Sequence, residues 1–257
     1  MRIFILGAGH MGAWLVEELC LDHEVAVYDR DRRKLKYFFN VKRMIDMKEV
    51  QEFRPELMIN AVGLSDIRKA FDEVLPYLPK DCILSDIASV KTGLYDYYKE
   101  LGKKFVSTHP MFGPTFATIR DLSNENAIII KESDEKGKTF FRSFYQGLDL
   151  SIYEYTFEEH DKTIAYSLSV PFTSSMVFAA CMKKQEAPGT TFRKHLGIAM
   201  GLLSEDDHLL AEIMFNPHTV KQIEEINSRL TYLTHIIKGR DFEEMQKFLD
   251  RLRKNIA

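Results

Sequence analysis

Residues 107–116, STHPMFGPTF, place a histidine inside a run of turn-forming residues. His109 follows a strand-like segment and precedes Pro110, and Gly113 and Pro114 come shortly afterwards. Histidine is the side chain whose ordinary pKa lies near neutrality, so a fixed imidazole can accept or return a proton. The density of Pro and Gly predicts a stiff turn rather than the interior of a strand or helix. We therefore interpret His109 as a candidate catalytic base held by that turn.

The N-terminal segment GAGHMG, residues 7–12, fits the G-x-G-x-x-G pattern of dinucleotide sites. It follows one strand-like run and opens a helical pattern, and Asp29 ends the next strand-like run. The glycines permit a tight turn, a close backbone approach to a pyrophosphate and close helix packing, and the helix N-terminus attracts phosphate. The predicted cofactor-binding residues are Gly7, Ala8, Gly9, His10, Met11, Gly12, Asp29, Arg30, Ala61 and Val62.

The acid at position 29 predicts NAD rather than NADP as the cofactor. The Asp29 carboxylate would accept hydrogen bonds from ribose hydroxyls and would repel a 2′-phosphate. Arg30, Arg32 and Arg33 follow directly and could hold such a phosphate, so NADP stays open as the alternative.

Short apolar runs and amphipathic helical segments alternate through the first part of the chain. This alternation is typical of an α/β fold, a parallel sheet with helices on both faces, and with the glycine turn it indicates a Rossmann-type domain. The predicted strands are residues 2–6, 24–29, 56–62, 81–88, 104–108, 127–130 and 150–157, and the clearest predicted helices between them are residues 66–78 and 90–101.

Three polar segments follow strands of this predicted sheet. Their candidate functional side chains are Ser89, Lys91 and His109. Ligands of doubly wound sheets lie at the carboxyl ends of the strands, so these residues are expected to converge there. Ser89 could also cap a helix that begins near Val90. Lys91 could also be a solvated surface lysine.

From about residue 154 onward the pattern is helical. We expect a Rossmann domain over residues 1–153 and an all-helical domain over residues 154–257, with a kink at Pro171. Ser204 and Asp207 are the expected capping pair of one helix, and Asp241 is the expected N-cap of the last. Helices this apolar favour a homodimer through the second domain.

Composition excludes several other classes of function. The net charge of −3 and a mixture of both signs offer no basic field for nucleic acid. No signal peptide is expected, no apolar run approaches the ~18 residues of a membrane span, and no metal-ligand spacing occurs. Cys20, Cys82 and Cys181 lie far apart, as expected of free thiols in the cytoplasm.

The segments STHPMFGP, SDIASVK and GAGHMG together resemble the prephenate dehydrogenase family, and the likeness extends over the whole chain. The nearest form is the compact one of Bacteroides-like bacteria. The resemblance implies a Rossmann domain followed by a helical dimerisation domain. It implies NAD-dependent oxidative decarboxylation of prephenate to 4-hydroxyphenylpyruvate, in tyrosine biosynthesis. His109 would accept the proton of the C4 hydroxyl, and Ser89 would orient that hydroxyl and the imidazole.

The expected grip on the two substrate carboxylates departs from the family pattern. Ser169 and Phe172 stand where many members have histidines, and Gly197 stands where many have an arginine. Arg193 lies one helical turn earlier and could fill the space that Gly197 leaves. The predicted buried face of that helix consists of Phe192, Leu196, Ala199 and Leu203. The predicted substrate-binding residues are Ser89, Lys91, Arg193 and Lys194.

His160 and Asp161 match a His-Asp pair of the family and are expected to be structural. Other functions stay open beside prephenate dehydrogenase. They are arogenate dehydrogenase, a 3-hydroxyacid-type reductase using Lys183 or Lys184, and a non-catalytic NAD-binding sensor.

Overall fold

The structure is a computed structural model that describes residues 1–113 and 122–257, so Pro114 of the predicted turn lies outside the described residues. Its centre is one eight-stranded sheet with the order β3-β2-β1-β4-β5-β6-β7-β8. The strands are β1 (Arg2–Leu6), β2 (Glu24–Tyr28), β3 (Lys42–Arg43), β4 (Leu57–Asn60), β5 (Ile83–Asp86), β6 (Phe105–Pro110), β7 (Asn126–Ile130) and β8 (Ser151–Tyr155).

Helices cover the sheet and then form the second half of the chain. The first five are α1 (His10–Leu19), α2 (Glu49–Phe53), α3 (Ile67–Val74), α4 (Leu94–Leu101) and α5 (Glu135–Gly147). Six follow the last strand: α6 (Phe157–Ser167), α7 (Ser169–Cys181), α8 (Thr190–Leu202), α9 (Asp207–Met214), α10 (Thr219–Gly239) and α11 (Phe242–Asn255). The α/β fold with a helical C-terminal part is therefore confirmed, although β8 runs past the boundary predicted after residue 153.

Alternate residues of β1 enter two separate cores. Ile3 and Ile5 pack with Trp14 of α1 on one face of the sheet, whereas Phe4 and Leu6 pack with Phe71 of α3 on the other. Side chains of a strand point to opposite faces in turn, so a strand that is apolar at every position must be covered on both.

The expectation of a parallel sheet fails at one pair of strands. β6 and β7 are antiparallel, whereas the other neighbouring strands are parallel. A parallel pair needs a crossover that returns the chain to the starting edge, usually through a helix, whereas an antiparallel pair needs only a reversal of direction. No helical pattern was found in the sequence between these two strands.

Three local predictions are corrected. The helix is interrupted at Leu168, one turn before Pro171 rather than at that residue, because the proline lacks an N–H for the carbonyl of Ser167 and its ring crowds that carbonyl. α4 begins at Leu94, after Gly93 with φ of 74°, so Ser89 does not cap a helix at Val90.

The third correction concerns the start of α9. Asp206, rather than Ser204 with Asp207, caps this helix and accepts from the backbone N–H groups of His208 and Leu209 at 3.0 and 3.2 Å. The Ser204 hydroxyl instead donates to the carbonyl of Gly201. The N-cap of α11 is Asp241, as predicted.

The stretch Phe157–Cys181, which spans α6 and α7, is long and apolar enough to cross a membrane by length and composition alone, although no such stretch was expected. Only 22% of its most apolar window is buried inside the chain. The neighbouring helices α8 and α10 pack against α7 and are also rich in exposed apolar side chains. We call the apolar surface of α7, α8 and α10 the set Val177, Ile198, Met200, Val220, Leu230 and Ile237.

We predict that Asp206→Ala lowers the free energy of unfolding by about 1 kcal/mol, because it removes the acceptor for two helix N–H groups. Ser204→Ala is the matched control and should change it by less than about 0.5 kcal/mol, since that hydroxyl is exposed. Urea denaturation followed by circular dichroism measures both. Equal losses would contradict the assignment of Asp206 as the cap.

Candidate functional site

The predicted site residues follow the carboxyl ends of four neighbouring parallel strands, β1, β4, β5 and β6. The glycine turn follows β1, Ala61 and Val62 follow β4, and Ser89 follows β5. His109 and Pro110 are the last residues of β6 and pair with β7, so the prediction that they lie in a turn outside the strand is wrong. The ladder bonds to β7 fix the backbone of His109 more firmly than a turn would.

Steric contacts fix the geometry of the glycine turn. Gly7 has φ of +105°, and a Cβ there would lie 2.8 Å from the carbonyl carbon of Ala61. A Cβ on Gly12 would lie 2.1 Å from the carbonyl oxygen of Gly7. A Cβ on Gly9 would meet nothing within 4 Å, so this position faces open space at the start of α1. The turn therefore leaves room for a ligand above the helix N-terminus.

The Asp29 carboxylate is buried against this turn. It accepts from the backbone N–H of Ala8 at 2.7 Å and from that of Asp31 at 2.8 Å, and the Lys34 ammonium lies 3.6 Å away. Arg30 points to a different partner, Asp66, at 3.0 Å. The acid is thus fixed by backbone donors before any ligand binds.

A cleft of about 320 Å³ opens between the glycine turn and the start of α3. Gly9, Asp29, Arg30, Val62 and Lys69 are among its lining residues. Open space at Gly9, a helix N-terminus and a fixed carboxylate are what the phosphates and ribose of a dinucleotide require, so these residues fit such a cofactor. Four other predicted contacts, Ala8, His10, Met11 and Gly12, are not among the lining residues. His10, which is exposed, and Met11, which is half-buried, begin α1.

His109 is buried, with 7% of its surface exposed, and it contacts a second histidine. Its Nδ1 lies 3.0 Å from Nε2 of His160, and Nδ1 of His160 lies 2.9 Å from Oδ1 of Asp161. Burial lowers the pKa of His109 well below its usual value, and the nearby His160 and Lys91 lower it further. His109 is therefore a neutral imidazole at pH 7.

His160 and Asp161, which the sequence analysis expects to be structural, lie directly beside His109. Asp161 also accepts from the backbone N–H of Lys91 at 2.9 Å and from the Thr92 hydroxyl at 2.7 Å. Both residues stand in the first turns of α6. Asp161 bonds to the loop after β5, and His160 contacts His109 of β6. The adjacent His and Asp at a helix start were the available signal, but nothing in the sequence indicated that this helix meets His109.

Lys91 is neither a surface lysine nor a free cation for a substrate. Its side chain is fully buried, and its ammonium donates to Oδ1 of Asp86 and, at 2.7 Å, to the carbonyl of Thr108. Burial lowers the pKa of Lys91, while the Asp86 carboxylate opposes that shift. The Tyr98 hydroxyl donates to the other oxygen of Asp86 at 2.7 Å. Because the ammonium is buried and already paired with the Asp86 carboxylate, the structure does not support the prediction that it binds a substrate carboxylate.

Among the described residues, no hydrogen bond joins the remaining predicted substrate residues to His109 or Lys91. Ser89 is half-buried in the loop after β5. Arg193 and Lys194 are exposed on α8, and within residues 1–113 and 122–257 we find no bond joining either to His109. The Arg193 guanidinium donates to the carbonyl of Pro188 at 2.8 Å instead of covering Gly197.

The predicted buried face of α8 is also corrected at one position. Leu202 and Ala199 are buried, whereas Leu203 is 53% exposed. Among the described residues, no group of His, Cys, Asp and Glu side chains is arranged to hold a metal ion.

We predict that Lys91→Met lowers the free energy of unfolding by about 3–5 kcal/mol, because it leaves the Asp86 carboxylate buried without its cation. Lys104→Met, which removes an exposed lysine 3.6 Å from Asp134, should cost at most about 1 kcal/mol. Urea titrations of both variants and the parent give the comparison. Similar losses from the two substitutions would show that the buried pair adds nothing beyond a surface ion pair.

Comparison with known proteins assigns the family. Residues 13–145 match the model of the prephenate dehydrogenase nucleotide-binding domain. A probable arogenate/prephenate dehydrogenase from Methanocaldococcus jannaschii is 23% identical over 218 residues, which is 79% of this chain but 48% of the relative. The chain thus spans about half the length of that curated relative.

Solved structures share the fold. Prephenate dehydrogenase from A. aeolicus, in complex with hydroxyphenyl propionate and NAD+, is 19% identical with a TM-score of 0.86, over 100% of this chain and 98% of that one. Synechocystis arogenate dehydrogenase is 18% identical with a TM-score of 0.76, over 99% of this chain and 98% of that one. Because the family model matches more than half of the 257 residues, the chain belongs to the prephenate dehydrogenase family.

Proposed function

We propose that this chain is an NAD-dependent prephenate dehydrogenase that converts prephenate to 4-hydroxyphenylpyruvate and carbon dioxide. The observation that carries the proposal is the buried, neutral His109 at the end of β6, on the same sheet edge as the glycine turn. A base and a dinucleotide cradle on one edge are what an alcohol oxidation requires.

The glycine turn, the start of α1 and Asp29 would hold NAD. When bound, NAD+ supplies the hydride acceptor. Asp29 would meet the ribose hydroxyls, and its negative charge disfavours a 2′-phosphate. Since Arg30 already pairs with Asp66, it is a weaker phosphate ligand than its place in the sequence suggests. The A. aeolicus structure with NAD+ has the same fold and supports this choice.

The protein groups would position the substrate and manage one proton. As C4 of prephenate is oxidised, His109 would accept the proton of the C4 hydroxyl, which it can do only as a neutral imidazole. The substrate carboxylate would leave as carbon dioxide while the ring becomes aromatic. Ser89, in the loop after β5, would orient the same hydroxyl.

Cations must bind the two carboxylates of prephenate. We propose Arg193 and Lys194 for this role, because both are exposed on α8, whereas Lys91 is enclosed by its own partners. An arginine can hold a carboxylate with two parallel hydrogen bonds, which favours Arg193.

Arogenate is the second candidate substrate. It is favoured by the names of two relatives, the M. jannaschii protein and the Synechocystis enzyme. Phe172 and Gly197, which replace a histidine and an arginine of many family members, also fit a changed contact with the substrate side chain.

We predict that the purified chain forms NADH with prephenate faster than with arogenate, and that NADP+ is the poorer cofactor. Absorbance of the reduced nicotinamide, with both substrates and both cofactors in parallel, measures this. His109→Asn should lower kcat by about 10²–10⁴-fold through loss of the base. The exposed His208→Asn is the matched control and should keep the parent rate.

Each other outcome of that assay has a defined meaning. Turnover of arogenate alone would transfer the proposal to arogenate. NAD binding without turnover of either substrate would favour a non-catalytic sensor. Normal turnover by His109→Asn would remove the base from the mechanism.

We propose that the enzyme works in the cytoplasm. Cys20, Cys82 and Cys181 are all free thiols, and burial raises the pKa of Cys82 to about 12. Free thiols are typical of a reducing compartment.

We further propose a homodimer in which a second copy covers the apolar surface of α7, α8 and α10. Leu230 and Ile237 of α10 are 50% and 59% exposed, which is costly for a free surface. A membrane is the less favoured occupant, because α6 at the other end of the same stretch holds His160 and Asp161 against the sheet. Insertion of this stretch into lipid would pull those residues out of the site.

We predict a particle of twice the chain mass by light scattering after size exclusion. Leu230→Glu with Ile237→Glu should shift it toward the single-chain mass, because the charges oppose burial. Leu21→Glu, at a 77% exposed position of the sheet domain, is the control and should leave the mass unchanged. A single-chain mass for the parent, or binding of the parent to lipid vesicles, would contradict a dimer through this surface.

A further inference from the structure

We propose that His160 and Asp161 are positioning residues that hold His109 in the tautomer with a proton on Nδ1 and a lone pair on Nε2. This inference rests on the proposed function, in which His109 takes the substrate proton. Nδ1 of His109 faces His160, so Nε2 is the ring nitrogen left to take that proton. Nothing in the reaction itself requires a second histidine, so the pair needs a reason for its place in the site.

The protons can be assigned along the contacts that join Asp161 to His160 and His160 to His109, starting at Asp161. Both of its carboxylate oxygens are already acceptors, Oδ1 for the backbone N–H of Lys91 and Oδ2 for the Thr92 hydroxyl. Burial raises the pKa of this carboxyl, but the hydrogen bonds from His160, Thr92 and Lys91 outweigh it and lower the pKa overall. Asp161 is therefore ionised and can only accept.

An ionised Asp161 determines the tautomer of His160. Oδ1 of Asp161 lies 2.9 Å from Nδ1 of His160, so this nitrogen must carry the proton. His160 has no exposed surface, and burial lowers its pKa although the carboxylate opposes the shift. A neutral ring with its proton on Nδ1 has a lone pair on Nε2.

The same reasoning then applies to His109. Nε2 of His160 lies 3.0 Å from Nδ1 of His109, and a lone pair there requires a donor opposite. His109 Nδ1 therefore carries the proton, which leaves Nε2 as a free acceptor. The reverse arrangement would need either a protonated Asp161 or a buried imidazolium ring, and both are costly.

Charged and titratable groups surround His109 from every packed element. Lys91 and Asp86 lie on the β5 side as a closed ion pair, His160 and Asp161 lie on α6, and Tyr145 of α5 reaches it through Thr108. The Lys91 ammonium disfavours a proton on His109, whereas the Asp161 carboxylate, joined to this ring through His160, would favour one. The negative charge of Asp161 would therefore help the ring while it holds the substrate proton.

Asp161 is also held in place by a residue of the helical half of the chain. The Asn216 side chain donates to the backbone carbonyl of Asp161 at 2.8 Å, and the loop after β5 holds the carboxylate of the same residue. Asp161 is thus fixed at both its backbone and its side chain. This fixes the position of His160 as well.

The first test is the tautomer itself, read on the full chain without substrate. Nitrogen-15 NMR of histidine-labelled protein at pH 7.5 distinguishes a protonated from an unprotonated ring nitrogen, and His109→Asn identifies the His109 signals. We expect a proton on Nδ1 of His109 in the parent. A proton on Nε2 would overturn the proposal, and the tautomer is read on the parent chain, with His109→Asn used only to assign the signals.

Variants then test whether the neighbours cause that tautomer. His160→Phe removes the acceptor, so His109 should show a mixture of tautomers and kcat should fall about 100-fold with little change in KM for NAD. Asp161→Asn should lower kcat less and move the acidic limb of kcat/KM to lower pH, because the charge that stabilises the protonated ring is lost. Glu158→Gln, exposed in the same turn of α6, is the control and should change neither.

The outcomes separate this proposal from the proposed function. An unchanged His109 tautomer in His160→Phe, together with kcat within twofold of the parent, would overturn the positioning role. A fixed Nδ1 proton in a protein that turns over neither prephenate nor arogenate would overturn the proposed function and still support the tautomer assignment.

Discussion

The buried Lys91–Asp86 ion pair is the contact on which the rest of the site depends. The Lys91 ammonium joins β5, through Asp86, to β6, through the carbonyl of Thr108 next to His109. The backbone N–H of Lys91 donates to Asp161 and so joins the ion pair to α6. Burial of a charge is costly unless it is paired and hydrogen-bonded, so the three elements must keep one arrangement to satisfy it. The position of His109 is a consequence of that arrangement.

The cofactor side of the site depends on backbone constraints rather than on charge pairs. Gly7 and Gly12 allow contacts that a Cβ would prevent, and Ala8 and Asp31 fix Asp29 through their N–H groups. Such constraints are local in sequence, since residues 7–12 and 29 lie on two adjacent strands and the turn between β1 and α1. This is why the glycine pattern could be interpreted correctly from the sequence alone.

The catalytic side was less predictable because its contacts join distant parts of the chain. His109 and Ser89 were predicted from their place near strand ends, but the partner of His109 is 51 residues away on another element. Lys91 was predicted to bind the substrate for the same reason. The sequence shows a charged residue after a strand, but it does not show that Asp86 and Thr108 enclose that residue. His109 belongs to β6 because β7 pairs with it in the antiparallel direction. This pairing also depends on a long connection between the two strands. Regular elements followed from periodicity, whereas the helix starts at Leu94 and Asp207 depended on single residues.

The stretch from α6 to α7 connects the catalytic cluster with the apolar surface. Its first turns carry His160 and Asp161 into the site, and its later turns carry Val177 and other exposed apolar residues. The two parts are joined at Leu168, with one residue between the helices, and α6 packs against α7. A partner that covers α7 would therefore contact the helix on which the helix of His160 packs. Phe172 and Gly197, where the sequence departs from the family pattern, lie on α7 and α8, two of the helices that form this surface.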